Sequence, residues 1–179
     1  MNSIKAIKLL SDLDQRLSRY VFNKKDLRII FSGESENCLN KTIERLVDNG
    51  VLERATKGVF IYANARSKNS YIIEEIARIM RQGESKYVSL ESALSEYGVI
   101  SQIPINHITI MTTGRSGFFK TSYGVIEFTH TKRNKLDINK RIISIEGRPL
   151  PIATKEAAIE DLRRVGRNLD MLIENKYES

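Results

Sequence analysis

The sequence predicts an α+β protein in two parts. A small front unit of helices closes with a hairpin. A larger mixed unit follows, with a mostly antiparallel sheet and a C-terminal helix. Three observations carry this. Residues 23–65 read as helix, tight turn, helix and two short strands. After Gly98 the apolar period changes from helical to alternating, as in Ile108, Ile110 and Thr112. After Thr154 the helical period returns.

Taken in order, Ile4, Ile7, Leu10, Leu13 and Leu17 recur at helical spacing and predict a first helix over 3–19, with that stripe buried. Tyr20-Val21-Phe22 reads as a short extended piece that pairs with the hairpin, and Asn23 caps a short helix holding Leu27, Ile30 and Phe31. Gly33 supplies the backbone freedom of the turn. The next helix runs from about Ser35 or Glu36 to Asn49. Leu39, Ile43, Leu46 and Val47 form its apolar face, with Asn37, Lys41, Glu44 and Arg45 opposite and Asn40 on the flank. Val51 to Arg54 and Val59 to Tyr62 are the hairpin strands, joined through Thr56-Lys57-Gly58. This order is that of a winged helix-turn-helix, predicted for residues 1–65, which sets its second helix in the DNA major groove. Asn and Arg side chains pair with base edges and Lys reaches phosphates or guanine. The expected DNA-binding residues are therefore Asn37, Asn40, Lys41 and Arg45 on the helix, with Arg54 and Lys57 on the wing.

Residues 65–70 read as a polar linker, and the second domain is predicted over 70–179. It opens with a helix over 71–81 and a second over 90–97, capped by Ser89 and stopped by Gly98. Strands follow at 108–112, 118–121, 125–128, 141–145 and 150–152, then a last helix from Thr154 to about Asn175. Its expected buried stripe is Ala158, Leu162, Val165, Leu169, Leu172 and Ile173.

The formal net charge is +7, which favours an anionic partner. The excess sits in two places. Residues 1–65 carry 11 Lys and Arg against 8 Asp and Glu, and residues 102–150 carry 8 against 3. The densest basic run, His130 to Lys135, gives Lys132, Arg133 and Lys135 as a second candidate nucleic-acid contact or a solvated loop. Glu36 and Glu44 would repel phosphates and suit a face that reads bases selectively.

A single cysteine, Cys38, excludes an internal disulfide, and with only His107 and His130 beside it no metal site or cofactor is expected. Cys38 reads as a small, partly buried filler. No apolar run reaches membrane-span length and no signal-peptide core opens the chain, so no membrane partner and a cytoplasmic location are expected. His107 and His130 read as surface or hydrogen-bonded histidines, with no paired nucleophile, so the chain is not expected to be an enzyme. Ser89 reads as an N-cap, with Leu90, Ala93 and Leu94 as core.

Three passages carry a family likeness: YVSLESALSEYGVI at 87–100, FFKTSYGVIEFTHTK at 118–132 and RPLPIATKEAAIEDLRR at 148–164. With the front unit they resemble the AbiEi-type antitoxins of type IV toxin–antitoxin systems, which act in abortive-infection phage defence. The resemblance implies an N-terminal domain that binds inverted repeats in its own promoter and represses the operon. It implies a C-terminal antitoxin domain that counteracts a nucleotidyltransferase-like toxin without a stable complex. Two rival readings stand beside it. One is a stand-alone winged-helix transcriptional regulator with a sensor domain. The other is a small nuclease, for which Glu127, Asp137 and Glu146 are the only acids in the basic sheet region.

Overall fold

The computed structural model describes residues 1–100 and 105–172. The chain is α+β and divides into two compact units. The first is Met1–Met80 with Thr121–Tyr123, and the second is Arg81–Lys120 with Gly124–Ser179.

The first unit begins with α1 (Ser3–Leu17), β1 (Val21–Asn23), α2 (Lys24–Ile30) and α3 (Glu36–Asp48). It continues with β2 (Leu52–Thr56), β3 (Val59–Tyr62) and α4 (Ile72–Met80). Its sheet has the order β1-β3-β2, antiparallel throughout, with Phe22 and Arg54 both opposite Phe60. All four residues of β3 are buried, as the central strand requires. Asn23 caps α2 through a capping box: its side chain accepts from the Asp26 amide, and Asp26 accepts from the Asn23 amide. The helix at 72–80 packs on β1 and β3, so the division between units falls after it and not at the polar stretch 65–70.

Of the stripe expected for α1, Leu10 is buried and Leu13 half-buried, but its ends are not. Ile4 and Leu17 are exposed, and Ala6, Leu10 and Asp14 face inward. The i, i+4, i+8 row is turned in because the Asp14 carboxylate accepts hydrogen bonds from the Arg66 and Ser67 amides and the Ser67 hydroxyl. Burial pushes that carboxyl up, but these hydrogen bonds outweigh it and hold the group below its ordinary range.

The second unit contains β4 (Lys86–Val88), α5 (Leu90–Glu96), β5 (His107–Thr112), β6 (Gly117–Thr121), β7 (Gly124–His130) and α6 (Lys135–Asn139). It ends with β8 (Ile142–Ile143), β9 (Ile152–Ala153), α7 (Lys155–Val165) and a 3-10 turn at Leu169–Met171. The strand order is β6-β7-β5-β4-β9-β8. The sheet is more mixed than expected. β5 runs parallel to β7 and β4 parallel to β9, while β4–β5 and β8–β9 are antiparallel. The reason is that β6 lies outside β7, so β7 returns alongside β5 in the same direction. Gly124 starts β7 at φ +133°, and a Cβ there would lie 2.2 Å from the Asn106 carbonyl oxygen.

α7 is shorter than expected. Thr154 caps it, accepting from the Ala157 amide, but Gly166 ends it in the left-handed conformation. Leu169 is exposed beyond that stop, and Ile173 to Asn175 lie outside the described residues. Among the described residues no helix is long and apolar enough to cross a membrane.

Candidate nucleic-acid interface

α3 is set by its two ends and one face. The Ser35 hydroxyl accepts from the Cys38 amide at the start, and Asn49-Gly50 ends the helix with Gly50 at φ +67°. Leu39, Thr42, Ile43 and Leu46 are buried. Removing each such aliphatic side chain from water contributes about 1.5–3 kcal/mol, which fixes the helix's rotation. That rotation leaves Asn37, Lys41, Glu44 and Arg45 exposed and Asn40 half-buried on the flank. Arg54 and Lys57 are exposed on the hairpin. The Arg54 guanidinium lies 5.2 Å from the centre of the Phe60 ring, a cation–π distance that steadies the side chain. Gly58 turns the hairpin at φ +77°.

Cys38 is exposed rather than a partly buried filler. It stands one and two turns before Lys41 and Arg45, so it belongs to their outward face. Glu36 is not an isolated repulsive charge. Its carboxylate lies 2.5 Å from the Lys24 ammonium and also accepts from the Arg28 guanidinium, both on α2. The Lys24 hydrogen bond, with Arg28 beside it, holds this carboxyl below its usual range.

In the second unit the basic run at 130–135 is only partly outward. Lys132 and Lys135 are exposed, but Arg133 turns in and donates to the Asp161 carboxylate at 2.5 Å. This removes Arg133 from the candidate contacts. Asp161 is fully buried and also accepts from the Tyr87 hydroxyl at 3.0 Å and the Ser89 hydroxyl at 2.8 Å, with Arg141 at 3.5 Å. Burial, then the Asp161 charge, pushes the Tyr87 phenol well above its usual range. Ser89 therefore precedes α5 without capping it, because its hydroxyl is committed to Asp161. Leu90, Ala93 and Leu94 are core, as expected.

A second polar cluster was not foreseen. Arg167 donates to both Glu91 carboxylate oxygens, at 3.0 and 3.1 Å, and to Glu127, while Asn168 donates to Glu91 at 2.7 Å. Burial pushes the Glu91 carboxyl up, but the Arg167 and Asn168 hydrogen bonds outweigh it and leave it lowered. His107 Nε2 lies 3.1 Å from Glu127, and the exposed His130 uses Nδ1 to donate to the Gly114 carbonyl at 2.8 Å. Glu127 is thus occupied by Arg167 and His107. Among the described residues no group of three or more His, Cys, Asp or Glu side chains is placed to hold a metal ion.

α3 thus presents one outward polar face, and the β2–β3 hairpin follows it directly in the chain. The chain belongs to a family of unknown function, DUF6088, whose model matches residues 22–168. No curated protein matches it. Its fold is similar to the crystal structure of the RV2827C protein from Mycobacterium tuberculosis, with a TM-score of 0.60 and 18% identity. That likeness covers 89% of this chain and 60% of the mycobacterial one, so this chain spans about 60% of the length of that relative.

Proposed function

We propose that the protein is a DNA-binding transcriptional repressor whose first unit is a winged helix-turn-helix. The observation that carries this reading is the exposed Asn37, Lys41, Arg45 face of α3, held outward by the buried Leu39, Ile43 and Leu46. Short donors and cations on one exposed helix face fit base edges and flanking phosphates. Arg54 and Lys57 extend the basic surface onto the hairpin. The antitoxin role rests on the AbiEi likeness. In that reading the protein represses its own operon by binding promoter inverted repeats, and its second unit counteracts a nucleotidyltransferase-like toxin without a stable complex.

The testing experiment is a gel-shift titration on the duplex upstream of the gene, at two salt concentrations, with unrelated duplex as competitor. Binding that survives competitor supports a specific repressor. Equal loss from both duplexes as salt rises overturns it. The antitoxin role is tested by co-expression with the neighbouring gene: rescue of growth supports it, and an innocuous neighbour removes it.

A further inference from the structure

The joint between α2 and α3 carries a three-residue charge arrangement that the base-reading face does not use. Lys24 and Arg28 lie one turn apart on α2, and both reach the Glu36 carboxylate at the first residue of α3. All three side chains are substantially exposed, at 42%, 59% and 48%. An exposed ion pair of this kind contributes little to stability, so the arrangement is poorly explained as a brace. It is well explained as an anion site. Two cations one turn apart converge on one pair of oxygens, which is what a phosphodiester would offer them.

We propose that Lys24 and Arg28 form a binding site for a DNA backbone phosphate, and that Glu36 occupies this site in the free protein as a built-in counter-charge. The proposal rests on the DNA-binding reading above. A phosphate must displace Glu36 to engage the two cations fully. Non-specific duplex, which gains only backbone contacts, is therefore held weakly. A correct site adds base contacts from the neighbouring face of α3 and engages Lys24 and Arg28 despite the competing carboxylate. Glu36 then acts as a specificity-determining residue by suppressing sequence-independent binding.

The test uses the full chain in fluorescence anisotropy with a random-sequence duplex and with the upstream duplex, across a salt series. Glu36→Gln should tighten binding to the random duplex by roughly three- to tenfold at low salt, and steepen the log K against log salt slope by about one unit. The ratio of upstream to random affinity should fall. Lys24→Gln with Arg28→Gln should weaken both duplexes and make the slope shallower. In that double background Glu36→Gln should have no further effect, because its action runs through the two cations. If Glu36→Gln tightens binding equally with and without Lys24 and Arg28, the carboxylate merely repels DNA and the site is overturned. If the wild type binds DNA but Glu36→Gln leaves both affinity and slope unchanged, the site is likewise overturned. If the wild type binds no duplex at any salt, it is the DNA-binding reading itself that falls.

Discussion

Asp161 and Lys41 mark two opposite uses of charge in this chain. Asp161 is fully buried among Tyr87, Ser89, Arg133 and Arg141. Asp161→Ala should cost about 3–5 kcal/mol in chemical denaturation, since it takes the carboxylate acceptor from Arg133 and from two buried hydroxyls. Lys41 and Arg45 are exposed and stabilise nothing comparable. Lys41→Ala or Arg45→Ala should leave the melting temperature nearly unchanged and weaken operator binding by about 1–3 kcal/mol wherever the residue reads a base. An unaltered footprint in both variants would show that another face meets DNA. Asp14 adds a pH signature. Its folded carboxyl lies below its ordinary value, so its contribution is full above the unfolded value of about 3.9 and is lost as pH falls through the lower folded value. Asp14→Asn should therefore flatten the acid limb of a stability–pH curve below about pH 4. A limb of unchanged slope would place the acid sensitivity elsewhere. These buried acids had a signal in the sequence. Asp161 sits beside Ala158 and Leu162 on a helix face that reads as apolar, and such a residue demands a buried partner. Which partner it finds is a long-range fact: Arg133 stands 28 positions away, and no local pattern encodes it.

At the level of elements, local chemistry was legible wherever a cap or a period settles the outcome. α3 lies where Ser35, the Leu39-Ile43-Leu46 face and Asn49-Gly50 place it. α2 owes its start to Asn23, and Asn23→Ala should cost about 1 kcal/mol of the first unit's stability, read as a lower melting temperature. Elements of a few residues escaped, because three or five positions do not define a period. β4 is Lys86–Val88 and α6 is Lys135–Asn139, the latter opened by Asn134, whose side chain accepts from the Asp137 amide. Strand direction escaped for a different reason. Hairpin signals join β6 to β7, yet nothing local says that β7 will then lie between β6 and β5. Gly124 is a hidden requirement of that pairing. Gly124→Ala would drive a methyl carbon into the Asn106 carbonyl, and should destabilise the second unit by more than about 1 kcal/mol in denaturation.

Across the whole molecule the net charge of +7 is distributed rather than pooled. Arg133, Arg141 and Arg167 are paired with internal carboxylates, so the 29 Lys and Arg overstate the cations free to meet an external polyanion. The candidate interface offers four outward cations, Lys41, Arg45, Arg54 and Lys57. If these four meet phosphates together with Lys24 and Arg28, log K for duplex should fall against log salt with a slope of about −5. The candidate face was visible in the sequence because it is one helix long. The polar clusters around Asp161 and Glu91 were not, because each is assembled from several segments of the chain.

The exposed thiol of Cys38 gives the molecule its own reporter. It is the only cysteine in the chain, and it stands on the outward side of α3 between Asn37 and Lys41. A maleimide dye will therefore label one position without any engineered residue. Bound duplex should slow that alkylation, and prior alkylation should weaken duplex binding.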